Sequence, residues 1–148
     1  MVEISIREMK EIVRSFSVAF AENDVEGIIS FCTENVIVTD PAGTLRGAEG
    51  IRLWRKWVAR RFPETTITTT NLIGERTWIV EQALTTGITP EGVTVSYPNI
   101  IIFEFKGKKI RRITELYDAL AIAQKATKGW LAKKAVDSIT NQFNAELR

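Results

Sequence analysis

Proton transfer in this chain must rest on carboxylates and phenols, because its 148 residues include no histidine. That removes imidazole acid–base catalysis, histidine-activated nucleophiles and histidine-ligated metal sites together. Two aspartates stand where strands are expected to end. Asp40 closes Val36-Ile37-Val38-Thr39-Asp40 and shares parity with the apolar Val36 and Val38. If that face points inward, the carboxylate meets an apolar pocket, and desolvation makes it a better proton acceptor near neutral pH. The run Asp40-Pro41-Ala42-Gly43 is equally turn chemistry, with aspartate accepting a backbone N–H. Asp118 shares parity with Ile110, Thr114 and Leu116 and faces inward if they do. It also precedes Ala119-Leu120-Ala121-Ile122-Ala123 and fits an N-cap; the two roles are compatible.

Other polar groups lie on the same strand-forming half: Tyr97, Asn99, Glu81, Gln82 and Glu115. Strand alternation turns about half of such residues to water. Glu81 and Glu115 are expected to be solvated or paired with Arg76, Arg111 or Arg112 across strands. If one lies inside, it becomes a general acid with a raised pKa. A bulge at Pro98 reverses every assignment beyond it. Cys32 stands alone, which leaves no internal disulfide and no thiolate metal cage, and it reads as a small buried hydrophobe. No phosphate-binding glycine loop and no carboxylate set with metal spacing is present, so neither cofactor nor metal is expected.

The elements that position these residues follow from periodicity. Ile6, Met9, Val13, Phe16 and Phe20 step by three and four, which predicts an amphipathic helix. Asn23, with Glu26 three residues on, predicts a capping box for a second helix. Residues 36–40 read as a short strand, and Gly47 to Phe62 as a helix that Pro63 ends. Four long strands follow, over 65–73, 77–88, 93–105 and 109–118, with turns at Gly74-Glu75, Pro90-Glu91-Gly92 and Lys106-Gly107-Lys108. Leu131, Ala135, Ile139, Phe143 and Leu147 predict a terminal helix. Helices early and an antiparallel meander late make an α+β fold, with the sheet wrapped round the first and third helices and open at one end.

Composition bounds the partners. A single domain is expected at this length. Twenty basic against 18 acidic residues leave a net charge of +2, too balanced to announce a nucleic-acid partner. Arg46, Arg52, Arg55, Lys56, Arg60 and Arg61 are expected to form a solvated outer helix face. No apolar run approaches the ~20 residues of a bilayer crossing, and the first residues lack a targeting pattern. A soluble, cytoplasmic protein is the expectation.

Four segments carry a family likeness. They are residues 20–28 (Phe20-Ala21-Glu22-Asn23-Asp24-Val25-Glu26-Gly27-Ile28), 38–43 (Val38-Thr39-Asp40-Pro41-Ala42-Gly43), 46–51 (Arg46-Gly47-Ala48-Glu49-Gly50-Ile51) and 113–118 (Ile113-Thr114-Glu115-Leu116-Tyr117-Asp118). In their order the chain resembles the NTF2-like superfamily of α+β cones, in its SnoaL-like and ketosteroid-isomerase-like branches. The likeness spans roughly residues 5–125, leaving 126–148 as a helical extension. It implies a cone with a hydrophobic pocket and a homodimer formed through the open sheet face. By resemblance, Asp40 matches the isomerase base and Asp118 the aspartate of SnoaL-like cyclases, while Tyr117 would polarise a carbonyl. Phe16, Phe20, Trp54, Trp57, Tyr97, Asn99 and Ile101 are the expected substrate-binding wall. Phe16 stands where an isomerase has its oxyanion tyrosine, and Ile101 or a neighbour where it has its protonated acid. Both are apolar, so steroid isomerisation lacks its donors. The implied function is a pocket for a small apolar molecule, with cofactor-free proton transfer beside a carbonyl. The alternative is a non-catalytic dimeric ligand-binding or protein-interaction module, since this fold hosts many activities.

Overall fold

The structure is a computed structural model that describes residues 3–146. Of the terminal stripe, Leu147 and the side chain of Phe143 lie outside the described residues. Helix α1 (Ile6–Ala21) begins at a capping box in which the Ser5 hydroxyl accepts from the Glu8 N–H and the Glu8 carboxylate accepts from the Ser5 N–H. Its Met9, Val13, Phe16, Ser17 and Phe20 stripe is buried. Helix α2 (Val25–Ser30) is capped by Asp24, which accepts from the Gly27 N–H at 3.0 Å. The expected cap, Asn23, instead takes a left-handed turn at φ 58, a conformation asparagine tolerates better than most residues. Glu26 pairs with Arg52 at 3.1 Å and forms no box.

Strand β1 (Cys32–Asp40) is longer than predicted and turns back into a short strand, β2 (Gly43–Arg46), that the sequence reading left out. Helix α3 (Gly47–Arg61) leads to β3 (Glu64–Glu75), β4 (Trp78–Ile88), β5 (Thr94–Lys106) and β6 (Lys109–Tyr117). Helices α4 (Ala119–Ala126) and α5 (Trp130–Glu146) follow. The six strands form one sheet in the order β2-β1-β6-β5-β4-β3, antiparallel except where β1 runs parallel to β6. The concave face packs on α1 and α3. Phe16 meets Phe103 edge-on at 5.2 Å, and Phe20 meets Trp54 at 4.9 Å. Among the described residues no helix is long and apolar enough to cross a membrane.

The register of β5 and β6 decides which of their residues face the hollow. Pro98 carries no bulge; β4 and β5 stay in register through Leu84↔Pro98. Strand β6 joins β5 only from Asn99 onward, so Pro98 sits where one edge of β5 is open and proline is tolerated. Alternation therefore runs unbroken, and Val95, Tyr97, Asn99, Ile101 and Phe103 are all buried. The bulge falls instead between Glu104 and Phe105, where β6 spends the extra residue Arg111. Ile110 then shares the inner face with Ile113, Glu115 and Tyr117, while Leu116 and Asp118 turn outward. The expected parity of Asp118 with Ile110 is thereby corrected.

The basic face of α3 is not uniform either. Arg52 is held by Glu26 and Glu49. Arg55, expected in solvent, is 1% exposed, with its Nε donating to the Phe20 carbonyl at 2.9 Å and its guanidinium 4.7 Å from the Phe20 ring centroid. Gln124 of α4 donates to Asp137 of α5 at 2.8 Å, while Trp130, Leu131 and Ile139 stay exposed. Gly87 lets the Phe62 ring reach the sheet, since a β-carbon there would lie 2.4 Å from that ring. Gly87→Ala is expected to cost about 1–3 kcal/mol by overpacking, read from the urea midpoint at constant slope. An unchanged midpoint would show that Phe62 yields freely.

Candidate functional site

A cavity of about 510 Å³ opens between the concave sheet face and helices α1, α3 and α4, a size that suits a small organic ligand. Phe16, Phe20, Trp54, Trp57, Tyr97, Asn99, Ile101 and Tyr117 all line it. They come together because the even alternation of β5 and the bulge in β6 aim their odd-numbered residues at one face of α1 and α3. Ile122, Ala123 and Ala126 of α4 close a further side.

The two aspartates do not line the cavity. Asp40 turns its carboxylate onto its own turn and accepts from the Ala42 N–H at 2.7 Å, although Pro41 and Ala42 reach the cavity wall. Asp118 is exposed and caps α4, accepting from the Ala121 N–H at 2.9 Å. Local backbone donors lie within reach of both, so the carboxylates bond at the strand ends and do not project into the hollow.

Two carboxyls reach the cavity, Glu91 from the β4–β5 turn and, from the sheet face, Glu115. Cross-strand register sets Thr85, Asn99 and Glu115 on neighbouring strands of one face. The Thr85 hydroxyl donates to Asn99 Oδ1 at 3.0 Å, and Asn99 Nδ2 donates to Glu115 Oε1 at 3.1 Å. Burial pushes the Glu115 carboxyl up to about 7; the Asn99 bond works against this, and the negative charges of Asp40 and Glu81 add to it. Among the described residues no cation lies within ion-pair distance. Arg111 and Arg112, the expected partners, are taken by the buried Glu104 on the other side of the strand pair.

Glu81 is the second correction. It is 0% exposed and bonded by hydroxyls alone: Ser17 Oγ lies 3.2 and 3.3 Å from its two oxygens and Thr69 Oγ1 2.5 Å from one. Burial raises its pKa against these bonds. Ser17 stands between this carboxyl and the cavity, which it lines. The Tyr97 and Tyr117 rings lie 5.7 Å apart. Burial raises both phenols, with the Glu115 carboxylate adding to each and Asp40 adding further. Both therefore stay protonated donors at neutral pH. A carboxyl near 7 beside two such donors can give and take a proton without large cost in either direction.

Cys32 is buried, donates to the Ile28 carbonyl and has its thiol pushed up to about 12 by burial, so it packs and does not react. Among the described residues no group of three or more cysteine, aspartate or glutamate side chains is placed to hold a metal. Glu115, Glu81 and Thr85 were missed as site residues. Their signal is the alternation Tyr97-x-Asn99-x-Ile101 set against Glu115-x-Tyr117, which becomes readable only once the bulge at Arg111 is known.

A curled sheet closing on helices round an apolar hollow with a buried carboxyl on the sheet face defines a pocket-bearing protein of the NTF2-like cone class. The model of the SnoaL-like domain matches residues 13–113, and the chain belongs to that family. Among solved structures it is similar to an NTF2-like protein of unknown function from Burkholderia pseudomallei K96243, with 17% identity and a TM-score of 0.77 over 84% of this chain and 100% of that one. A protein described as a SnoaL-like polyketide cyclase from Jannaschia sp. CCS1 aligns with 16% identity and a TM-score of 0.75, covering 88% and 98%. A protein of ketosteroid-isomerase-like fold from Catenulispora acidiphila DSM 44928, in complex with trimethylamine, aligns with 16% identity and a TM-score of 0.73, covering 78% and 92%. No curated protein matches the chain.

The pKa of Glu115 carries a stability consequence with a definite sign. Its folded value, about 7, lies above the ordinary 4.5. Its contribution is therefore complete below about pH 4.5 and lost as pH rises through about 7, by up to about 3 kcal/mol. Glu81 acts in the same direction. Unfolding free energy is expected to fall from pH 5 to pH 8, and Glu115→Gln is expected to flatten that fall. Chemical denaturation at four pH values measures both, and a slope unchanged by the substitution would contradict the assignment.

Proposed function

We propose that this protein is a cofactor-free acid–base catalyst that moves a proton beside a carbonyl on a small apolar molecule, in the manner of a polyketide cyclase or isomerase. The observation that carries this reading is a carboxyl pushed up to about 7 inside an apolar cavity, held by the Thr85–Asn99–Glu115 chain. Glu115 takes the proton from carbon and returns it elsewhere on the same molecule, so no cofactor enters the balance. Tyr117 and Tyr97, protonated in the cavity wall, polarise the carbonyl and hold the developing enolate oxygen. Asp40 and Asp118 serve the turn and the α4 cap, and the charge of Asp40 helps to keep the proton on Glu115.

Steroid isomerisation is not supported, since Phe16 and Ile101 offer the cavity no donor. The test is solvent deuterium exchange into 2-tetralone, followed by proton NMR. The wild-type protein is expected to accelerate exchange with an apparent pKa near 7, and Glu115→Gln to lose about 10²–10⁴-fold. Full exchange in that variant would overturn the assignment. Saturable binding of the ketone without exchange in the wild type would support a ligand-binding module instead.

We also propose a homodimer through the outward face of the sheet. Leu84, Ile100 and Leu116 are 43%, 42% and 52% exposed; Ile100 pairs with Leu116 across β5 and β6, and Leu84 pairs with the exposed Pro98 two residues from Ile100. Such a contiguous apolar patch suits an interface. Sedimentation equilibrium is expected to give a dimer that Leu116→Lys converts to monomer. A wild-type monomer at 100 µM would remove the proposal, a concentration chosen as about tenfold above the low-micromolar range of weak specific pairs.

A further inference from the structure

We propose that the molecule taken by the cavity carries an oxyanion head group, held at the mouth by Arg60 and Arg61, with its apolar body directed inward toward Glu115. This rests on the same cavity as the proposed function but not on proton transfer by Glu115.

The last turn of α3 places both arginines in the cavity wall. Among the described residues, the acids that form ion pairs take other cations. Glu11 pairs with Arg7, Glu26 and Glu49 with Arg52, Glu8 with Lys108, and Glu104 with Arg111 and Arg112. Among the described residues neither Arg60 nor Arg61 has an acid within ion-pair distance. Arg61 is also held in place. Its guanidinium lies 4.0 Å from the centroid of the Trp57 ring, and its Nη1 donates to the Trp57 carbonyl at 3.5 Å. A stacked guanidinium keeps part of its donor fork free, and that fork matches carboxylate or phosphate oxygens. Its charge reaches the Tyr117 hydroxyl across the cavity. One acid, Glu91 on the β4–β5 turn, also lines the mouth, so the rim carries a net positive charge.

The cavity floor fixes the orientation. Glu115 lies in the wall, Glu81 behind Ser17, and Asp40 close enough to raise the Glu115 pKa. A ligand anion placed there would meet the Glu115 carboxyl in a largely apolar space, with the acids Asp40 and Glu81 close behind the wall. At the mouth it meets two guanidinium groups and water. Between the ends stand Phe16, Phe20, Trp54 and Ile101, which offer apolar surface. The substrate class is therefore an amphiphilic acid: a compact ring or short-chain body with one anionic end. The rival role for Arg60 and Arg61 is to complement the α3 dipole at its C-terminus, which cations favour there. That role needs no ligand and predicts no ligand selectivity.

The experiment is calorimetric titration of the full chain with three probes of one shape: 2-naphthylacetate, 2-naphthyl phosphate and the neutral 2-naphthylacetamide. At least one oxyanion is expected to bind about tenfold or more tightly than the amide, the scale of one charge-assisted bond. Raising salt to 0.5 M is expected to shrink that preference. The order of the two anions then assigns the head group. The double variant Arg60→Gln/Arg61→Gln is expected to lose the preference while keeping amide affinity and thermal midpoint, and Arg61→Lys to keep part of it. Equal binding of acid and amide, or a preference that survives in the double variant, overturns the proposal. Binding of none of the probes overturns it together with the cavity reading. Selective anion binding without ketone exchange leaves it standing and removes only the catalytic role.

Discussion

The chain of bonds from Thr85 through Asn99 to Glu115 is the constraint on which the site depends. Asn99 is buried and has both amide ends committed, its oxygen to the threonine hydroxyl and its nitrogen to the carboxylate. That commitment sets which way the amide faces, because reversing it would set its oxygen against the carboxylate oxygen of Glu115, whereas the Thr85 hydroxyl can accept as well as donate. It also leaves Glu115 with a neutral partner where a cation would have drawn its pKa down. Substituting a charged partner for Asn99 would give a settled ion pair and remove the proton chemistry. Three strands must keep register for this chain to form, so the curvature of the sheet and the site are one arrangement.

Among the described residues an ionisable group is buried without a counter-ion in two notable places, one a guanidinium and one a carboxyl. Arg55 is almost fully buried between α1 and α3 with no carboxylate beside it, and one of its guanidinium nitrogens has no partner. Burial lowers its pKa. Its bond to the Phe20 carbonyl and its position over the Phe20 ring place a cation at the C-terminal end of α1, where the helix dipole favours it. The consequence for the cavity is geometric: Phe20, a wall residue, is clamped from behind. Glu81 plays the matching part on the sheet side. Its three hydroxyl contacts tie α1 to β3 and β4 through Ser17 and Thr69. Buried charges without counterions are costly to keep, and both stand where a helix meets the cavity.

The sequence made the architecture legible more readily than the site. Helix stripes, the order of strands and the turns at Pro90-Glu91-Gly92 and Lys106-Gly107-Lys108 follow from periodicity and turn chemistry that each segment carries locally. The cavity wall was legible too, since Phe16, Phe20, Trp54 and Tyr97 are fixed by helix or strand phase alone. What the sequence did not show was where phase breaks. Proline suggested a bulge at Pro98, but an open strand edge accommodates it without one. Of the three actual breaks, one falls in β1 between Cys32 and Ile37, and the other two, at Thr70 and at Arg111, fall among residues that carry no turn signal. A single extra residue at Arg111 exchanged Asp118 for Glu115 as the inward acid. Asp40 escaped for a different reason: its phase was right, but an available N–H two residues on captured the carboxylate.

Separation of charge along the cavity couples binding to protonation. Burial already holds the Glu115 carboxyl at about 7 with the cavity unfilled. A ligand body that fills the apolar space keeps water from it and raises the carboxyl further. A negative head at Arg60 and Arg61 adds a like charge at longer range and acts in the same direction. Each effect favours the protonated carboxyl in the complex. By linkage the protonated form must then hold the ligand more tightly than the ionised form, by the same factor. Binding of such a ligand therefore draws a proton onto Glu115, and in the proposed reaction that proton must leave before the carboxylate can take one from carbon.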